Sequence, residues 1–139
     1  LEGNFNKVQD EVAQIKQACG EKTLKVILET GELKTAENIY KASMLAIEGG
    51  ADFIKTSTGK ISVGATLEAA ESMLKSIRDY REKTQKWVGF KAAGGISTPE
   101  EALQYYKLAQ NVLGEKEINN QKFRIGASRL TDKLFDVLL

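Results

Sequence analysis

Four short apolar stretches, separated by segments of helical period, constrain this chain more than any other feature. Leu24–Glu29, Ala51–Thr58, Trp87–Ala93 and Phe123–Ser128 are rich in Val, Ile and Phe and read as buried strands. Their starts are spaced 27, 36 and 36 residues apart, which leaves room for one helix in each interval. Ile39, Ala42, Ala46 and Ile47 share one helical face, as do Leu67, Ala70, Leu74 and Ile77, and again Ala102, Tyr106, Ala109 and Leu113. A helix over roughly Phe5 to Ala18, with Val8, Val12 and Ile15 on one face, precedes the first strand, and Leu130, Leu134 and Val137 indicate a last one. Thr66 marks one helix start, and Thr98-Pro99-Glu100-Glu101 combines an N-cap, a proline at the first helical position and a capping-box glutamate. The order α(βα)₄ predicts an α/β fold of parallel βα units joined by right-handed crossovers. The strand sequences do not resemble one another and no low-complexity linker intervenes, so residues 1–139 are expected to form one domain.

Composition then removes whole classes of function. Twenty Lys and Arg against nineteen Asp and Glu leave a formal charge of +1, too little for the positive field of a nucleic-acid-binding surface. The longest apolar runs, such as Val26-Ile27-Leu28, fall far short of the roughly 20 residues of a membrane span. A single cysteine excludes a disulfide scaffold and fits a reducing, cytoplasmic setting. Histidine is absent, which excludes Ser-His-Asp, Cys-His and His-ligated zinc chemistry together. Catalysis would have to use Lys, Asp, Glu, Tyr, Ser or Thr. The chain opens at Leu1 with no leader pattern of basic, apolar and small residues.

In parallel α/β folds ligands sit beyond the carboxyl ends of the strands, and those ends are polar here. Ala51-Asp52-Phe53-Ile54-Lys55-Thr56-Ser57-Thr58-Gly59-Lys60 places a lysine inside one strand, and Trp87-Val88-Gly89-Phe90-Lys91-Ala92-Ala93-Gly94-Gly95 does the same in the next. If Lys55 and Lys91 face one interior, each disfavours the other's charge, and desolvation acts in the same direction. An amine so prepared attacks a carbonyl to form a Schiff base. The competing reading is that each lysine snorkels into water or pairs with a carboxylate such as Glu29. Gly94-Gly95 before the helix at Thr98, and Gly126-Ala127-Ser128 before the last helix, place free backbone N–H groups where a phosphate binds favourably. The competing reading there is a pair of tight βα turns.

Four strings carry a resemblance. Leu24-Lys25-Val26-Ile27-Leu28-Glu29-Thr30-Gly31-Glu32-Leu33, Ala51 through Gly59, Val88 through Ile96, and Arg124-Ile125-Gly126-Ala127-Ser128 closely resemble the deoxyribose-phosphate aldolases, which are class I aldolases. The resemblance covers nearly the whole chain. It implies that Lys55 is the Schiff-base lysine and that Lys91 is the neighbour that lowers its pKa and assists proton transfer. It also implies that Gly59, Lys60, Gly94, Gly95, Ile96, Gly126 and Ser128 surround the substrate phosphate. The reaction implied is reversible cleavage of 2-deoxyribose 5-phosphate into glyceraldehyde 3-phosphate and acetaldehyde, with no metal and no organic cofactor.

The departures from the family matter equally. Its members are (β/α)₈ barrels, an architecture of about 250 residues, and this chain corresponds to half of one, beginning after the fourth strand. The family's fourth strand carries an Asp that joins the proton relay, and Asp52 is a poor substitute, because three residues before Lys55 in a strand it points to the opposite face. The tail stops at Leu139 without the longer C-terminal extension that some members close over the site, Ala92 stands where a Pro is common, and Arg129 replaces a second Ser of the phosphate loop. The expectation is an impaired half-barrel aldolase that self-associates to cover its open edges. The alternatives are a non-catalytic phosphate-binding half-barrel or interaction module, and another lysine-dependent aldolase such as a transaldolase, which the four-motif match disfavours.

Overall fold

The computed structural model describes residues 3–138. Helix α1 (Phe5–Cys19) precedes β1 (Lys25–Ile27), the short α2 (Thr30–Leu33), α3 (Ala36–Glu48), β2 (Phe53–Lys55), α4 (Leu67–Thr84), β3 (Gly89–Ala93) and α5 (Pro99–Leu113). A 3₁₀ turn (Glu115–Glu117), β4 (Phe123–Gly126) and α6 (Leu130–Leu138) complete the order. The strands pair in parallel in the order β1-β2-β3-β4. Each crossover helix therefore lies against the sheet between two sequence-adjacent strands.

Register divides the side chains into two rows. Val26, Ile54, Phe90 and Phe123 are mutual partners across the sheet, and Ile27, Lys55, Lys91 and Arg124 form the next row, on the opposite face. The first row faces the helices. Ile54 and Phe90 are fully buried there, together with Ile47, Met73 and Leu74 from α3 and α4, and Phe90 packs at 6.1 Å on Phe123. Each such side chain stabilises the fold by about 2–3 kcal/mol through area removed from water. The helix starts are fixed by the side chains that the sequence marked: Thr66 Oγ1 accepts from Ala69 N, and the box between Thr98 and Glu101 is closed in both directions.

Several expectations are corrected in detail. The strands are shorter than their apolar runs, trimmed at both ends in β1 and β2, at the amino end in β3 and at the carboxyl end in β4; just past β2, Thr56 Oγ1 accepts from Ala93 N at 2.9 Å and donates to Ala93 O at 2.7 Å. Helix α2 is new; four residues are too few to show a period. On α5 the buried tyrosine is Tyr105, whereas Tyr106 lies at the rim with its ring edge-on to Phe123. On α1 only Val12 is buried, packed into the space above Gly49, while Val8 and Ile15 stay about half exposed. Strand β1 is the sheet edge, so α1 has α3 beside it and no further βα unit on its other flank.

Candidate active site

The second row of side chains forms an open face on which Lys55 and Lys91 are direct register partners. Lys25 and Arg124 stand on the same face, each over the Phe53 ring, at 5.4 and 4.6 Å from its centroid. The ring itself lies on Gly89, where a Cβ would come within 2.3 Å of it. Four cations thus share one face whose strand residues include no carboxylate. Burial, and then the like charges of Lys91, Arg124 and Lys55, hold the Lys25 amine below its usual value.

Glu29 does not pair with either lysine. Its carboxylate accepts from the backbone N–H and the hydroxyl of Thr58, which ties the loop after β2 to the end of β1. Asp52 is turned away as well, accepting from Lys16 Nζ of α1 and from Leu24 N, both at 2.7 Å. Among the described residues no ion pair reaches Lys55 or Lys91.

Three loops rise over the two lysines. The loop after β2 brings Thr58, Gly59 and Lys60, the loop after β3 brings Gly94, Gly95, Ile96 and Ser97, and the loop after β4 brings Ala127, Ser128 and Arg129. Together with Lys55, Lys91 and Gly126 they line a cleft of about 730 Å³. All nine residues singled out from the sequence are in its wall: Lys55, Gly59, Lys60, Lys91, Gly94, Gly95, Ile96, Gly126 and Ser128. Ile96 is mainly a core residue, 6% exposed and packed in the apolar cluster.

Two glycines are required by geometry. Gly94 has φ +106° and abuts Gly64, so a side chain there would be strained and crowded. A Cβ on Gly126 would lie 2.7 Å from Lys91 Cε and 2.9 Å from Ala93 Cβ. The missing side chain at 126 is the space that the lysine occupies. The loop after β3 is held by Glu101, whose carboxylate accepts from Ser97 N at 2.7 Å and Thr98 N at 3.1 Å; these backbone bonds lower its pKa.

Sequence reading left out Thr58 and Ser97 as wall residues, and it noted Arg129 only as a departure. Their place in the loops next to the chosen glycines was the available signal. No group of three or more His, Cys, Asp or Glu side chains able to hold a metal ion occurs among the described residues.

A parallel β/α sheet with paired lysines at the strand ends, under glycine-bearing loops, defines a barrel-type aldolase scaffold. The chain belongs to the DeoC/LacD aldolase family, whose model matches residues 1–128. A deoxyribose-phosphate aldolase from Mus musculus is 51% identical over 130 residues, covering 94% of this chain and 41% of the mouse protein. One from Agrobacterium fabrum is 48% identical over 139 residues, covering 99% of this chain and 52% of its own. The solved apo form of a Toxoplasma gondii ME49 protein provisionally designated deoxyribose-phosphate aldolase superposes with a TM-score of 0.87 at 31% identity, over 95% of this chain and 52% of that one. The chain therefore spans about half the length of the relatives it matches, and its sheet is half of a (β/α)₈ barrel.

Proposed function

We propose that this chain carries the imine-forming and phosphate-binding half of an aldolase that reversibly cleaves 2-deoxyribose 5-phosphate to glyceraldehyde 3-phosphate and acetaldehyde. The observation that carries the reading is the register pairing of Lys55 with Lys91 on the floor of a cleft that no carboxylate lines. In the forward direction the neutral Lys55 amine adds to the substrate aldehyde, and loss of water leaves an iminium. The hydroxyl on the third carbon gives up its proton to water, with the Lys91 ammonium beside it assisting the transfer by stabilising the developing oxyanion, while the bond between the second and third carbons breaks. The bonding electrons pass into the iminium and leave an enamine on Lys55, and glyceraldehyde 3-phosphate departs. Protonation of the enamine carbon and addition of water release acetaldehyde and restore the amine. No cofactor enters this sequence.

Gly59, Lys60, Gly94, Gly95, Ile96, Gly126 and Ser128 hold the phosphate, the glycines by backbone N–H groups and Lys60 by charge. Anchoring that remote group orients the aldehyde at Lys55. Half of the barrel wall lies outside this sequence, including the strand that carries a relay acid in the family. The loss of one acid–base group typically costs about 10²–10⁴ in rate, so the chain alone is expected to turn over far more slowly than a complete barrel. Self-association belongs to the same proposal, because β1 and β4 present open edges and Phe5, Val8, Ile15, Phe135 and Val137 are exposed. The cations of the open face repel one another across two copies, which directs the contact to edges and helices. No helix of the described residues is long and apolar enough to cross a membrane, and a cytoplasmic setting accords with the single cysteine.

A coupled assay for glyceraldehyde 3-phosphate release tests the reading. Slow release that disappears in Lys55→Met is the expected result. Release that survives this substitution overturns the role of Lys55. Phosphate binding with no release and no adduct at any lysine would favour the non-catalytic module.

A further inference from the structure

The end of β1 carries a backbone that its residue type does not explain. Thr35, Thr66 and Thr98 start α3, α4 and α5 with extended backbone, and each hydroxyl caps its own helix. Glu29 starts α2 instead with left-handed backbone, φ 52° and ψ 63°, and its side chain makes no cap bond. That region favours glycine, and a glutamate stays there only when its surroundings hold it.

What holds it is the loop after β2. Both carboxylate oxygens of Glu29 accept from Thr58 N at 3.2 Å, and Oε2 also accepts from the Thr58 hydroxyl. Thr58 Oγ1 in turn accepts from Lys60 N at 3.2 Å. The hydroxyl is thus a node, its proton committed to Glu29 and a lone pair to the backbone two residues on. The same turn bears on the far end of the loop, because a Cβ on Gly31 would lie 2.6 Å from Val63 O and 3.0 Å from Ile61 Cδ1. Glu29 spends its charge here rather than on an amine, which matters for chemistry: a carboxylate paired with an amine favours the ammonium form, and that form cannot add to a carbonyl.

We infer that Glu29 is a positioning residue of this cleft: by seating turn 58–60 through Thr58, it lets the cleft distinguish a sugar aldehyde, which reaches that loop, from a two-carbon aldehyde, which reaches only Lys55. The inference rests on the aldolase reading for the reaction at Lys55 and adds to it a residue that touches no substrate.

Two variants separate the carboxylate from the backbone that carries it. Glu29→Gly removes the carboxylate and adopts the left-handed backbone freely, so no strain is added to the fold. Glu29→Gln keeps the length of the side chain and one acceptor oxygen. Borohydride trapping at Lys55 is compared for 2-deoxyribose 5-phosphate and acetaldehyde, both below saturation, and amide exchange at Thr58 is followed in the same folded protein. In Glu29→Gly the Thr58 amide is expected to exchange faster. The sugar-phosphate rate is expected to fall about tenfold and the acetaldehyde rate to stay within about twofold, a smaller loss than the roughly 10²-fold of a misplaced reacting group because the loop holds the remote end of the sugar. Glu29→Gln is expected to recover part of the sugar-phosphate rate. A merely structural role would slow both aldehydes together.

A ratio of the two rates that Glu29→Gly leaves unchanged, with Lys55 still labelled, overturns the positioning role and leaves the aldolase reading in place. A Thr58 amide that exchanges as slowly in Glu29→Gly as in the wild type overturns it too. A folded wild type that forms no adduct at Lys55 with either aldehyde overturns the aldolase reading, and the discrimination with it.

Discussion

Replacing Gly126 by Ala tests whether the lysine pair depends on the space above the last strand. The added Cβ would meet Lys91 Cε at 2.7 Å, Ala93 Cβ at 2.9 Å and Lys91 Nζ at 3.3 Å. Carbon atoms pack at about 3.5–4.0 Å, so Lys91 must retreat by about 1 Å and Ala93 by somewhat less. The lysine end is flexible and yields at small cost. Ala93 is part of the β3 ladder, paired directly with Gly126, and cannot retreat without moving the strand. Overpacking of this kind costs about 1–3 kcal/mol, which for a chain of this length lowers Tm by roughly 4–12 °C. A misplacement of about 1 Å in a reacting group costs about 10²-fold in rate, so the chemistry should suffer more than the fold. Thermal unfolding and the rate of borohydride trapping at Lys55 are to be measured on the same preparation, with Lys91→Leu as the reference for complete loss of the amine. Trapping in Gly126→Ala at the wild-type rate would refute the claim that Gly126 exists to admit Lys91.

Three further outcomes are expected. Thr98→Ala removes the N-cap of α5 and should cost about 1 kcal/mol in denaturant unfolding; no loss would mean that Pro99 and Glu101 alone hold the helix start. The lowered pKa of Glu101 stabilises the fold fully above its unfolded value of about 4.3, and this is lost as pH falls through the folded value, so Glu101→Gln should flatten the acid limb of the stability profile. The Lys25 pKa is lowered in the folded state, so the unfolded chain binds more protons at alkaline pH and stability should rise with pH towards about 10.4, a rise that Lys25→Met should remove. An identical alkaline slope in the two proteins would show that Lys25 feels none of its neighbours.

What could be read from the sequence follows from the length scale of each signal. Strand and helix alternation repeats over tens of residues and survives local exceptions, so all four strands and the capped starts of α4 and α5 lie where their residues indicate. Helix α2 has no periodic signal because it is one turn long. The exposure of Val8 and Ile15 is equally hidden, since a helical face records only that a partner is wanted. The cleft was legible because parallel βα connectivity sends every loop after a strand to one end of the sheet. Which side chains point into that end was less so. The partnership of Glu29 with Thr58, rather than with Lys55, depends on a backbone at Glu29 with φ 52°, and nothing in the residue order signals it.

The most direct test is the identity of what borohydride fixes on the chain during incubation with 2-deoxyribose 5-phosphate. Peptide mapping by mass spectrometry distinguishes a five-carbon phosphorylated adduct, which records imine formation alone, from a two-carbon ethyl group, which records cleavage followed by reduction of the acetaldehyde imine. Both adducts are expected at Lys55, with the five-carbon form in excess because the half-barrel forms the imine faster than it breaks the bond. An adduct confined to other lysines, or an unmodified Lys55 in protein shown to be folded, would contradict the assignment of this cleft to aldolase chemistry.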